Sequence, residues 1–130
     1  MRISLVAVAL LAACTYPKYV ARKIVDCTIP TTYTANLLCQ THNGNITVAG
    51  ESNTTQVEVH AELSVRGYTQ EEADANLLLL EVGREQQDGT LHLFVKYPWE
   101  ELSNRSPSGT FTLKVPQDLG LALESHNGDL

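Results

Sequence analysis

Among 130 residues, the side chains able to do chemistry are three cysteines, four histidines and a few clustered carboxylates. His42, His60, His92 and His126 are metal ligands by type. Two of them, His42 and His126, hold matching places in near-copies of one hexapeptide, THNGNI and SHNGDL. Stacked in one ladder beside a carboxylate, they would suit a transition metal. No close pair such as H-x-H supports that use, so solvent-facing turn histidines are the simpler reading, and neither metal nor cofactor is expected. Glu71, Glu72, Asp74, Glu100 and Glu101 raise glycoside cleavage, which needs two carboxylates about 5–10 Å apart across a sugar-sized cleft. The first three fall at a helix opening, where acids favour the positive end of the dipole. Glu100 and Glu101 lie in a polar stretch. Both sets read as solvated surface, and no catalytic residue is assigned. Trp99, beside Tyr97 and Pro98, is the side chain best placed to touch a partner, by stacking on a sugar or anchoring a protein. Its alternative is to cover the end of the preceding strand.

The cysteines point to a compartment. Met1-Arg2 leads an apolar run, Ile3 to Leu11, that ends in Leu11-Ala12-Ala13-Cys14. Charge, apolar run and small residues in that order make an export signal. LAAC resembles the bacterial lipobox, in which the cysteine thiol is acylated and the chain is cut just before it. By that resemblance residues 1–13 are a lipoprotein-type signal peptide and Cys14 is the lipidation site; the alternative is secretion with cleavage near Ala13. The implied location is the cell envelope, on a bacterial membrane (the outer one in a Gram-negative host). Lys18, Arg22 and Lys23 would then sit against anionic headgroups, or else on the solvated side of a first strand. In an exported chain Cys27 and Cys39 form a candidate disulfide. The other reading is a buried free thiol, since Cys39 shares a face with Leu37.

A net charge of −6 and a pI near 5.1 argue against a nucleic-acid partner, which needs a basic face. Hydrophobic content of 43% is that of a globular chain with a core. Phosphate-cradling glycine loops, HExxH and CxxC are absent. No later stretch approaches the roughly 20 apolar residues that span a bilayer.

Elements to position these residues follow from periodicity. Tyr33, Ala35, Leu37 and Cys39 alternate toward one face, and Ile46 and Val48 resume the alternation after Asn43-Gly44. Val57, Val59, Ala61, Leu63 and Val65 make the clearest half-buried strand. Thr69-Gln-Glu-Glu72 is a capping box that predicts a helix over Gln70 to Leu78, packed by its leucines. Asp88-Gly89 predicts a two-residue hairpin turn opposing Gln87 to Thr90, Val82 to Val95 and Glu81 to Lys96. Pro98 to Ser108 reads as a polar loop. Phe111, Leu113 and Val115 form another strand, stopped by Pro116, and Leu121 and Leu123 open the last.

The two Asn-Gly copies lie 84 positions apart, with a helix and a hairpin between them. They read as equivalent corners of successive coils, the first interrupted by an excursion. In order and spacing, THNGNITV, VEVHAEL, TQEEADANLLL, DGTLHLFVKYP, FTLKVPQDLGLALES and the closing NGDL resemble a bacterial adhesin family, long catalogued as a domain of unknown function and related to autotransporter adhesin heads. The resemblance covers Tyr33 to Leu130. It implies a mainly β fold: a β-sandwich-like start grading into a right-handed parallel β-solenoid, with one short inserted helix. Residues 14–32 would be the lipidated tether and first strand, and 33–130 the adhesin-like β domain, expected to be incomplete at Leu130, where family members continue. The function implied is a non-catalytic role in adhesion, interaction or structure. The membrane partner would be reached through the lipid anchor. Further partners would be an envelope protein, a glycan or copies of the chain. Competing readings are an enzyme acting on a polysaccharide from a solenoid scaffold, and an accessory or sensory domain of an envelope stress system.

Overall fold

The computed structural model describes residues 16–128. Cys14 and the signal-like run before it, with Asp129 and Leu130, lie outside those residues. The strands are β1 (Tyr19–Pro30), β2 (Asn36–His42), β3 (Ile46–Glu51), β4 (Gln56–Gly67), β5 (Glu81–Gln87), β6 (Thr90–Lys96), β7 (Ser108–Pro116) and β8 (Gly120–His126). Two short helices, α1 (Gln70–Leu78) and α2 (Trp99–Leu102), and a 3-10 turn at Ser103–Arg105 complete the set. The protein is mainly β. One sheet has the order β1-β4-β7-β3 and the other β5-β6-β2-β8. Both are mixed: β3 runs parallel to β7, and β2 parallel to both β6 and β8, while the remaining pairs are antiparallel.

Alternation makes these strands and the core between them. In β4, Val57, Val59, Ala61, Leu63 and Val65 are buried, while Glu58, Glu62 and Arg66 on the other face are exposed. Facing them across the core are Leu37 and Cys39 of β2 and Leu91, Leu93 and Val95 of β6. Each fully buried aliphatic side chain of this size stabilises the fold by about 1.5–3 kcal/mol relative to exposure. Among the described residues the buried apolar side chains run from Ala21 to Val115. β1, the first strand expected within residues 14–32, is an edge strand paired with β4 from Tyr19↔Gly67 to Pro30↔Gln56.

The capping box forms. Thr69 Oγ1 accepts from Glu72 N at 3.0 Å, and Glu72 Oε1 accepts from Tyr68 N at 2.8 Å. The helix packs through the residues at helical spacing, Ala73 and Leu77, with Leu80 fully buried just beyond its end. Ala73 and Asn76 are buried and Leu77 is partly so, but Leu78 keeps 78% of its surface. Asn76 anchors the helix by donating to Arg66 O at 3.1 Å. Lys23 Nζ donates to Leu77 O at 2.9 Å, placing a cation at the negative end of the helix dipole. Tyr33 departs from the reading. It lies in a turn at φ 66°, 91% exposed, and β2 begins only at Asn36. The turn is closed by Thr34 N donating to Thr31 O at 2.9 Å, so the alternation had been read through a bend.

The hairpin β5–β6 takes the expected register, with Glu81↔Lys96, Val82↔Val95 and Gln87↔Thr90. Asp88 (φ 52°) and Gly89 (φ 78°) both hold positive φ, the requirement of a type I′ turn. Gly89→Val places a β-branched residue in that region, at a strain of about 1–3 kcal/mol. Its thermal midpoint should fall well below that of an exposed control such as Glu58→Gln; equal midpoints would contradict the turn.

Candidate functional site

The repeated hexapeptides meet in space. β2 and β8 pair in parallel with Thr41↔Ser125 and His42↔His126, so each residue of one copy stands beside its counterpart. Asn43 (φ 54°) and Asn127 (φ 65°) make the same left-handed turn. Asn43 N donates to His126 O at 2.7 Å, and Asn127 Nδ2 donates to Asn43 Oδ1 at 3.2 Å. Ser125 Oγ donates to Gly44 O at 2.6 Å, and Thr41 Oγ1 donates in the same way to Gly109 O. Three backbone segments are thereby stacked at Gly109, Gly44 and Gly128. A Cβ on Gly44 would lie well inside van der Waals contact with Gly109 O, and one on Gly128 would do the same with Gly44 O. Glycine is required there by close approach.

In-register pairing also stacks the rings. The His42 and His126 imidazoles lie 4.7 Å apart and 13° from parallel. Trp99 meets His42 edge-on at 4.8 Å and Tyr97 at 5.7 Å. Trp99 therefore takes the covering role: it packs against the core at the end of β6, half-buried beside a groove. That groove, about 270 Å3, is lined by Gln40, Thr41, His42, His92, Phe94, Val95 and Trp99. Two of its lining residues belong to a hydrogen-bonded chain in which Gln40 Nε2 donates to the exposed Glu124, while Gln40 Oε1 pairs with His92 Nε2. The sequence reading missed Gln40, Glu124 and Phe94. The register Gln40↔Glu124, which follows from aligning the two hexapeptides, was the available signal for the first two.

The other candidates are dispersed. His60 pairs with Asp26 at 2.6 Å on the outer face of the β1 sheet, away from His42 and His126. Among the described residues no group of three or more His, Cys, Asp or Glu is placed to hold a metal ion. Glu72 is bound to Arg105 at 2.9 Å, and the Tyr68 N–H and then Arg105 hold its carboxyl below the usual range. Glu71, Asp74, Glu100 and Glu101 are exposed. Cys27 in β1 and Cys39 in β2 are free thiols, in place of the candidate disulfide, and both pack in the core between the sheets. Cys39 is fully buried in β2, and burial pushes its thiol up to about 12, where it is inert at neutral pH. The Tyr97 hydroxyl is buried and has no hydrogen-bond partner among the described residues, and burial raises its pKa. No described helix is long and apolar enough to cross a membrane. Compared with protein-family models, with curated proteins and with solved structures, the chain finds no match in any of the three.

Burial, and then the neighbouring His126, lower the pKa of His42 below its ordinary value. The folded state therefore resists a proton that the unfolded chain accepts near pH 6.5. Stability is free of this penalty above that pH and falls as pH drops through the window below it. The thermal midpoint of the wild type should decline between about pH 7 and about pH 5, and His42→Gln should flatten that slope. An identical slope in both proteins would show that the stacked pair has no part in it.

Proposed function

We propose that this chain is a lipid-anchored protein of the bacterial cell envelope that acts by binding or as structure, without catalysis. The LAAC sequence supports acylation of Cys14, and with it residence on a membrane, the outer one in a Gram-negative host. The observation that carries the binding role is the ring row His126–His42–Trp99 beside the open groove of Phe94 and His92. Aromatic rings at a wet surface with polar groups close by are what partner recognition uses. The His92–Gln40–Glu124 chain supplies those groups already ordered, which lowers the entropy lost on binding. The partner is an envelope protein, a glycan or a second copy of the chain. The parallel pairs β2–β8 and β3–β7 and the stacked glycine corners favour the finer reading of the fold, a sandwich passing into a right-handed parallel β-solenoid. They also support placing the chain in the adhesin-like family whose motifs it resembles.

Two measurements address the separate halves of this reading. Cells fed an alkyne fatty acid should label the wild-type protein and leave Cys14→Ser unlabelled. Equal labelling of both would remove the anchor. Cross-linked pull-downs from envelope extract should yield a partner that Trp99→Ala loses while its melting curve keeps a single cooperative transition. Retention of every partner by that variant would move the binding surface elsewhere.

A further inference from the structure

The outer face of the β1 sheet carries an arrangement that the ring row does not use. β1 turns Val20, Arg22 and Ile24 to that face, and β4 adds Glu62, Ser64 and Arg66 beside them. Register places Arg66 opposite Val20 and Ser64 opposite Arg22, so the two guanidinium groups are diagonal neighbours. Lys18, one residue before β1, is exposed as well. Lys23, grouped with Lys18 and Arg22 by sequence, is committed to the α1 terminus; Arg66, distant in sequence, takes the place beside Arg22. Ile24 keeps 60% of its surface, an unusual exposure for isoleucine, and Tyr16 and Tyr19 keep 61% and 40%. Next to these residues is a groove of about 520 Å3, lined by Arg22, Lys23, Ile24, Glu62, Leu63, Ser64, Ser108 and Thr110. Glu62 is the one carboxylate among its lining residues.

We propose that this patch is a membrane-docking surface that takes anionic phospholipid headgroups. Three cations supply the attraction, at about 1 kcal/mol each near an anionic leaflet. Ile24 and Val20 supply aliphatic side chains suited to the interface, where such groups settle beside basic ones. The chemistry favours a phosphodiester surface over an acidic protein because the aliphatic side chains of Val20 and Ile24 are interleaved with the cations, and because Ser64, Ser108 and Thr110 offer hydroxyls to a headgroup. With a net charge of −6 the rest of the molecule is repelled by the same surface, so the patch also fixes which way the domain faces. The inference rests on the lipid-anchored reading in one respect: Cys14 lies two residues before Tyr16, so an acyl chain there would hold β1 at the bilayer.

The test uses the chain of residues 14–130 with Cys14→Ser, which retains every described residue and carries neither an acyl chain nor the apolar run before it. It is sedimented with vesicles of phosphatidylcholine alone, or with about a third phosphatidylglycerol. Binding to the anionic vesicles at about 0.05 M salt, lost at about 0.3 M, is expected. Arg22→Gln with Arg66→Gln should weaken it about 30-fold and Lys18→Gln alone about fivefold, whereas Lys114→Gln, at the far end of β7, should change nothing. Should the double variant fail to fold, Lys18→Gln carries the comparison. Equal binding to both vesicle types, no binding at low salt, or indifference to the Arg22, Arg66 and Lys18 substitutions would overturn the proposal. Because the protein tested has no lipid, this result stands apart from the labelling experiment on Cys14.

Discussion

The architecture depends on how closely three backbone segments approach at Gly109, Gly44 and Gly128. No side chain fits between them, and each carbonyl of the first two accepts a hydroxyl from the next segment, Thr41 to Gly109 and Ser125 to Gly44. A typical hydrogen bond contributes only about 0.5–1.5 kcal/mol net, but leaving a buried donor or acceptor unpaired costs about 1–3 kcal/mol. That asymmetry fixes the register. Sliding β8 by one residue along β2 would place Leu123 where Glu124 stands and turn its apolar residues outward. The same slip would strip Gly44 of its hydroxyl partner and break the Asn43–Asn127 contact.

From that register the ring row follows without further design. Parallel, in-register strands set equivalent residues side by side, so a histidine repeated in sequence becomes a stacked pair in space. Position in the row has an electrostatic consequence for His42: its partial burial, and then the His126 ring stacked at 4.7 Å, disfavour its protonation. Trp99 reaches the row because α2 begins directly after β6 and Tyr97 stays in the core, turning the next ring toward His42. The site is thus a by-product of strand pairing and one tight chain reversal.

What was legible in the sequence was local or repeated. The β5–β6 register could be read because a two-residue turn leaves no freedom and Glu81 meets Lys96 as opposite charges do. β4 could be read because its alternation is strict, and α1 because its cap is a four-residue signal. The β2–β8 stack could be read because the hexapeptide recurs. Period two says which residues face a core but not which strand is the neighbour, so β7 standing between β4 and β3 was out of reach. For the same reason nothing placed Cys27 and Cys39 on different sheets, or set Arg66 beside Arg22. The packing face of α1 could be read because Ala73, Leu77 and Leu80 keep helical spacing, whereas Asn76, buried beside them to donate to Arg66 O, gave no apolar signal. Tyr33 misled because a turn residue in left-handed backbone can sit in phase with a following strand.

Strand directions join the two surfaces into one arrangement. β1, β3 and β7 begin at the end of the sandwich where β2, β4, β6 and β8 finish, as the pairings Tyr19↔Gly67, Ser64↔Ser108, Ile46↔Phe111 and His42↔His126 require. The basic patch and the ring row therefore lie near the same end. They are on opposite outer faces, because Arg22 and Arg66 project from one sheet and Gln40, His42 and His92 from the other. A domain resting on lipid through Arg22, Arg66 and Ile24 would keep Trp99 and the imidazoles on the side turned away from the bilayer. Like-charge repulsion works in the same direction, since Glu81, Glu100, Glu101 and Glu124 lie on or beside the ring-bearing face and resist an anionic surface. Charge placed by two edge-proximal strands would then present the ring row to the envelope space, where a partner can reach it.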